Sequence, residues 1–183
     1  MEDYIQQARG HHGGLHISRL KEFLPLDATV LEIGSGPGTD WKILGEKYRV
    51  TGSDNSSEFL KHLHKTFPDG EFLSLDAVTL SINRSFDGIY SNKVLHHLED
   101  KALEASVQRQ YEILNPNGIV CHTFWKGVDT ELYNDLFVNY HTDKGLRSLF
   151  DEFFETLLIQ HYQEFDKNDS ILFIGKKKPL LTP

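Results

Sequence analysis

Eleven residues, Val30-Leu31-Glu32-Ile33-Gly34-Ser35-Gly36-Pro37-Gly38-Thr39-Asp40, constrain the fold more than any other stretch of this chain. Val30, Leu31 and Ile33 form a short apolar run broken only by Glu32, the pattern of a strand buried on both faces that ends at the open edge of a parallel sheet. Three glycines at alternate positions follow, free of the Cβ atoms that hold ligands away from backbone and able to adopt dihedrals other residues avoid. Thr39, Asp40 and Trp41 then open a helix. A strand that turns on glycines into a helix N-terminus offers free N–H groups and a positive dipole end, which suits a nucleotide or a related cofactor. The spacing is G-x-G-x-G, not the G-x-G-x-x-G of dinucleotide folds.

Downstream, the chain alternates strands and helices. The spacing of Trp41, Ile43, Leu44 and Tyr48 predicts a helix from Thr39 to Tyr48, and Arg49 to Ser53 reads as a strand ending at Asp54. Asp54 follows Glu32 at close to the ~20-residue separation at which a second strand brings a carboxylate to a ribose. Ser56-Ser57-Glu58 caps a helix from Phe59 to Phe67, which Pro68-Asp69-Gly70 stops. Glu71 to Leu75 is a strand delivering Asp76-Ala77 to the same edge, and Phe86 to Tyr90 is another delivering Ser91-Asn92. Ala102 to Leu114 reads as a helix, Asn115-Pro116-Asn117-Gly118 as a turn and Ile119 to Phe124 as the fifth strand.

The rest is less patterned. Trp125 to Asn139 reads as a loop with a short helix near Glu131 to Val138, and Thr142-Asp143 caps a helix holding Leu146, Leu149, Phe150, Phe153 and Phe154. Thr156 to Tyr162 and Ser170 to Gly175, joined through Lys167-Asn168-Asp169, are expected to be antiparallel neighbours. At the other end, Tyr4 to Leu24 reads as a helical lead-in broken at Gly10 and at Gly13-Gly14, with Ile17, Leu20, Phe23 and Leu24 on one face and Pro25 ending it. His11, His12 and His16 flank those glycines, as exposed turn residues or as pocket lining.

These elements predict one α/β domain, a doubly wound, mostly parallel seven-stranded sheet with an antiparallel C-terminal strand. Residues 1–24 form a helical lid segment in this reading and 25–183 the ligand-binding domain. At 183 residues, 39% hydrophobic and 25% charged, the chain has the composition of a globular protein with one core. No run approaches the ~18 apolar residues of a membrane span. The polar start Met1-Glu2-Asp3-Tyr4 is unlike a secretory leader, and the single Cys121 excludes an intramolecular disulfide, so a cytoplasmic setting is expected. A net charge of -8 weighs against nucleic acid, and Lys176-Lys177-Lys178 reads as a solvated strand end. Ten histidines show no zinc-like spacing, so no metal is assigned.

Val30 to Asp40, Asp54, Asp76-Ala77, Phe86 to Leu98 with its VLHHL, and Leu114 to Phe124 with its LNPNG together resemble the successive motifs of class I S-adenosylmethionine-dependent methyltransferases, whose fold is Rossmann-like. The resemblance covers about residues 17 to 178. It implies S-adenosylmethionine as cofactor, with Glu32 ordering the methionine amine and Gly34, Ser35, Gly36 and Gly38 approaching the methionine and ribose portions. Asp54 would hold the ribose hydroxyls, Asn55 lie against the adenine, Asp76 accept from its amino group and Ala77 offer a backbone N–H. Ser91 and Asn92 would floor the methionine end. Family members that methylate amides or adenine in nucleic acid carry Asn/Asp-Pro-Pro-Tyr/Phe after the fourth strand; here the station reads Ser91-Asn92-Lys93-Val94, which points to a small-molecule acceptor with an O, N or S nucleophile. His97, His122, Tyr140 and His141 are candidates for a proton acceptor by residue type, and none is assigned. The oligomeric state stays open. The alternatives are a cofactor-binding protein without chemistry and, disfavoured by the glycine spacing and the terminal hairpin, an NAD-binding oxidoreductase.

Overall fold

The computed structural model describes residues 13–133 and 136–179. The expectations for Tyr4 to His12 lie outside the described residues. Seven strands make one sheet, in the order 71–74, 49–54, 29–33, 86–92, 114–125, 170–177 and 154–162, and two more make a separate hairpin. The first helix, α1 (Gly14–Leu20), precedes β1 (Thr29–Ile33); α2 (Thr39–Gly45), β2 (Arg49–Asp54), α3 (Ser57–Thr66) and β3 (Glu71–Ser74) follow. Then come β4 (Phe86–Asn92), a 3₁₀ turn (Leu95–His97), α4 (Asp100–Ile113) and β5 (Leu114–Trp125). The hairpin β6 (Thr130–Tyr133) and β7 (Leu136–Asn139), α5 (Asp143–Phe150), β8 (Phe154–Tyr162) and β9 (Ser170–Lys177) complete the order.

The strands β1 to β5 are parallel, and β9 runs antiparallel between β5 and β8. This bears out the doubly wound sheet with its antiparallel C-terminal strand. Because successive side chains alternate faces, the central strands read as unbroken apolar runs. Leu31, Ile89, Val120 and Phe173 face one core with Leu103 and Val107 of α4 and Phe150 of α5. Val30, Tyr90, Cys121 and Leu172 face the other with Ile17 and Leu20 of α1 and Leu44 of α2. Two helix starts are capped as expected: Ser56 accepts from the Phe59 N–H and Thr142 from the Gly145 N–H. Among the described residues no helix is long and apolar enough to cross a membrane.

Five local expectations are corrected. The described residues of Glu131 to Val138 are strand, not helix: they belong to the β6–β7 hairpin, with Thr130 opposite Asn139 and Tyr133 opposite Leu136. Phe153 and Phe154 do not extend α5, which stops at Phe150, and the fully buried Phe154 begins β8. The lead-in helix ends at Leu20, well before Pro25, and α2 at Gly45 rather than Tyr48. Asn115 to Gly118 does not precede the fifth strand but bulges from it: Leu114 already pairs with Phe86 and Ile119 resumes opposite Gly88. Asn117 takes φ 65° there, and the Asn115 amide donates to Asp87 at 2.7 Å, tying the bulge to β4.

Candidate functional site

The carboxyl ends of β1, β2, β3 and β4 form one edge, so Glu32, Asp54, Asp76 and Asn92 fall along it in the order β3-β2-β1-β4. All three loop glycines have positive φ, +71° at Gly34, +50° at Gly36 and +85° at Gly38. They serve different ends. A Cβ at Gly34 would meet Val94 at 2.5 Å and one at Gly38 would meet Phe67 at 2.6 Å, whereas one at Gly36 would meet nothing within 4 Å. Close packing demands the first and third; only Gly36 has its open side toward free space.

The end of β2 braces this loop. The Ser35 N–H donates to the Ser53 carbonyl at 2.8 Å, and the Gly36 N–H donates to Asp54 Oδ2 at 2.9 Å. Asp54 Oδ1 accepts from the Ser56 N–H at 2.8 Å, so this carboxylate joins the glycine loop to the start of α3. Ser35 Oγ donates to Glu32 Oε2 at 2.6 Å. Glu32 is 2% exposed, and burial pushes its carboxyl up to about 8, with Asp40 and Asp54 adding to the rise and the Ser35 bond opposing it.

A second carboxylate, Asp40, collects three donors: the Gly13 N–H at 2.7 Å, the Tyr90 hydroxyl at 2.8 Å and the Asn92 amide at 2.9 Å. Asn92 in turn accepts from Thr123 Oγ1 at 2.6 Å. Next to it Lys93, at φ 55°, lays its Nζ 3.2 Å from the centre of the Trp125 ring and donates to the Phe124 carbonyl and Ser170 Oγ, 3.5 Å from Glu164. Burial lowers its ammonium to about 7 against the pull of Glu164.

These groups surround a cavity of about 340 Å³. Its near wall is Glu32 with Gly34 to Pro37, Thr39 and Asp40; its far wall is Asn92, Lys93, Trp125, Tyr133, Glu164 and Phe165. Trp125 and Phe165 stack at 5.8 Å, and both, with Tyr133, also line an adjoining cavity of about 580 Å³. Trp125 and Tyr133 belong to the aromatic-bearing stretch after the fifth strand, whereas Lys93, Glu164 and Phe165 carry no signal; the β5–β9 pairing, with Asp169 accepting from the N–H groups of Glu164 and Phe165, brings 164 and 165 to Trp125.

Not every expected residue reaches the cavity. Asn55 is exposed beyond β2, Asp76 Oδ1 caps the next turn by accepting from the N–H groups of Val78 and Thr79, and neither lines it; nor do Ala77, Gly38, which packs on Leu63 and Phe67, and Asp54, whose oxygens accept from the Gly36 and Ser56 N–H groups. Ser91, expected to floor the methionine end, turns its hydroxyl away into the core toward His122. Among the proton-acceptor candidates, His122 is fully buried and pushed down to about 3 by desolvation, His97 Nδ1 contacts the Phe137 carbonyl and Tyr140 donates to Glu131. His141 lies in a different cavity, between α4 and α5, and none of the four lines the one by the glycine loop.

A methyltransferase-domain family profile matches residues 30–118, from the start of β1 into the β5 bulge. Over those residues the chain is similar to methyltransferase domains, in line with the resemblance of its motifs. Among curated relatives, a 2-methyl-6-phytyl-1,4-hydroquinone methyltransferase of Synechocystis is 30% identical over 163 residues, 82% of this chain and 48% of that protein. A trans-aconitate 2-methyltransferase of Azoarcus is 34% identical over 84 residues, 43% of this chain and 33% of that protein. The chain thus spans less than half the length of these relatives. In fold it resembles a Burkholderia thailandensis 1,6-didemethyltoxoflavin-N1-methyltransferase solved with S-adenosylhomocysteine, at 21% identity, TM-score 0.77 and coverage of 90% of this chain and 77% of that one. A Methanosarcina mazei methyltransferase superposes with TM-score 0.78 at 18% identity, over 87% and 96% of the two chains.

Proposed function

We propose that this chain binds S-adenosylmethionine along the carboxyl edge of β1 to β4 and transfers its methyl group to a small-molecule acceptor. The observation that carries the reading is the cavity between the glycine loop and Asn92, where Gly36 leaves open space for a ligand and a buried carboxyl, Glu32, has no cation beside it among the described residues. An amino-acid ammonium beside Glu32 would supply that cation and return the carboxyl to its ionised form. In this reading Asp54 accepts from the ribose hydroxyls while still bracing Gly36, and Asp76 with Ala77 borders the adenine.

The sulfonium of the bound cofactor supplies an electrophilic methyl carbon, so the task of the protein is alignment and exclusion of water. Trp125, Tyr133 and Phe165 extend from this cavity into the adjoining one and give the acceptor an aromatic wall. Gly13, bound to Asp40 at the same cavity, anchors the N-terminal segment that we assign as a lid, and the acceptor enters between it and 125–141. No described histidine lines the cavity; besides Glu32, the titratable groups that face an acceptor there are Asp40, Lys93, Tyr133 and Glu164.

Asp54→Ala tests the assignment. Loss of a charged acceptor for two hydroxyls should weaken S-adenosylmethionine binding roughly ten- to a hundred-fold in calorimetry, with cooperative melting retained. An unchanged dissociation constant removes the ribose role. Thermal shifts with S-adenosylmethionine and with NAD separate this reading from an oxidoreductase, and turnover of a small-metabolite panel separates it from a binding protein without chemistry.

A further inference from the structure

Behind the candidate site runs a line of polar side chains that the proposed chemistry does not use. Ser91, Ser106, Gln110 and His122 are each 0% exposed, and together they cross the core from the end of β4 to the turn after β3. The direction of the bonds follows from the far end. A carbonyl only accepts, so Ser106 Oγ donates to the Ala77 carbonyl, at 2.6 Å. Ser106 Oγ then accepts from the Gln110 amide at 3.2 Å, and Gln110 Oε1 faces His122 Nε2 at 2.8 Å. That bond needs a proton on Nε2. His122 is kept neutral by burial, so its Nδ1 carries none and accepts from the Ser91 hydroxyl at 2.8 Å. Every member is satisfied, and all donors point the same way, toward Ala77. Such a chain has one arrangement, because reversing any link would leave a buried group without its partner.

Helix α4 adds a second grip on the same segment. Arg109 donates through Nε to the Leu80 carbonyl at 3.2 Å and through Nη2 to the Ile82 carbonyl at 2.8 Å. Three carbonyls of the β3–β4 connection are therefore fixed by one helix. Within that segment Asp76 spends only Oδ1 on the turn, and among the described residues Oδ2 and the Ala77 N–H have no partner.

We propose that Ser106, backed by Gln110, His122 and Ser91, is a positioning residue for adenine recognition: by holding the Ala77 carbonyl it fixes where the Asp76 carboxylate and the Ala77 N–H stand. The proposal rests on the reading of Asp76 and Ala77 as the adenine border. Its consequence is that specificity for the base is set in part by a hydroxyl in the core that the ligand never touches. Asp76 and Ala77 sit on an exposed turn, and polar groups discriminate between ligands only when they are held still.

The test compares S-adenosylhomocysteine with S-inosylhomocysteine, in which a carbonyl replaces the adenine amino group, by calorimetry on the full chain. The unsubstituted protein should prefer the adenine ligand by roughly ten-fold or more, the worth of one hydrogen bond to a charged acceptor. Ser106→Ala should lose most of that preference. Ser106→Cys, which keeps the volume and trades a strong donor for a weak one, should fall between, and it gives the same ratio should the alanine variant not fold. If the unsubstituted protein shows no preference, the adenine border is misassigned and the proposal falls with it. If it shows one and the Ser106 variants melt earlier but keep the full ratio, the border stands, Ser106 is merely structural and the positioning role is overturned.

Discussion

A methyl group added at Gly36 would project into open space, whereas one added at Gly38 would strike Leu63 and Phe67 within 2.7 Å. The two substitutions should therefore fail in different ways. Gly36→Ala carries the strain of a left-handed alanine, about 1 kcal/mol, and should cost S-adenosylmethionine affinity ten-fold or more while the protein still melts cooperatively. Gly38→Ala adds overpacking to the same strain and should lower stability by about 2–4 kcal/mol in a denaturant titration. Glu32 gives a pH signature. Its folded pKa of about 8 lies above the ordinary 4.5, so its neutral form contributes stability that is complete at acid pH and is lost as pH rises through about 8. A ligand ammonium beside it favours the ionised form. Binding at pH 7 should then release protons, seen as a calorimetric enthalpy that changes with the ionisation enthalpy of the buffer, and Glu32→Gln should abolish that dependence.

Asp87 ties three strands together: it accepts from the backbone N–H and hydroxyl of Thr29 in β1 and from Asn115 in the β5 bulge, while itself in β4. Burial works against its charge, but these donors and Arg49 outweigh it and hold the carboxyl below the ordinary range. A lowered carboxyl contributes stability above the ordinary 3.8 and loses it as pH falls through the folded value. Asp87→Ala should cost about 1–3 kcal/mol at neutral pH, and the difference from the unsubstituted protein should shrink in acid melts. Elements of this kind differ in how legible they are. The glycine loop, the parallel strands and the Ser56 and Thr142 caps could be read because local chemistry and burial agree there. The β6–β7 hairpin could not: Thr130 to Tyr133 is exposed throughout, so no alternation marks it as a strand. Phe153 and Phe154 continued a helical spacing that tertiary packing overrides, and Asn115 to Gly118 carried the right turn residues for a bulge inside a strand pair.

Across the whole molecule, the sequence exposed one half of the site better than the other. Glu32, Asp54, Asp76 and Asn92 lie at or within two residues of the ends of parallel strands, and parallel strands deliver their ends to one edge, so the proposed cofactor side follows from strand order. Lys93, Trp125 and Glu164 meet only because β9 lies antiparallel beside β5, a non-local pairing with no short-range signal. That same arrangement bears on how the chain is made. β9 leaves a ribosome after the other strands of its sheet, yet it occupies an interior place there, with Ile171, Leu172, Phe173 and Ile174 at most 2% exposed. The first five strands can join in succession during synthesis, but β8 emerges with no neighbour and β5 waits with one edge open until β9 arrives. A nascent chain halted at Asp169 should therefore partition into aggregates, and a soluble, cooperatively melting product of that length would show that the early strands close without it. Completion of the far wall, with Trp125 and Glu164, is thus deferred until β9 has emerged, so the proposed cofactor side can be assembled before there is anywhere to hold an acceptor.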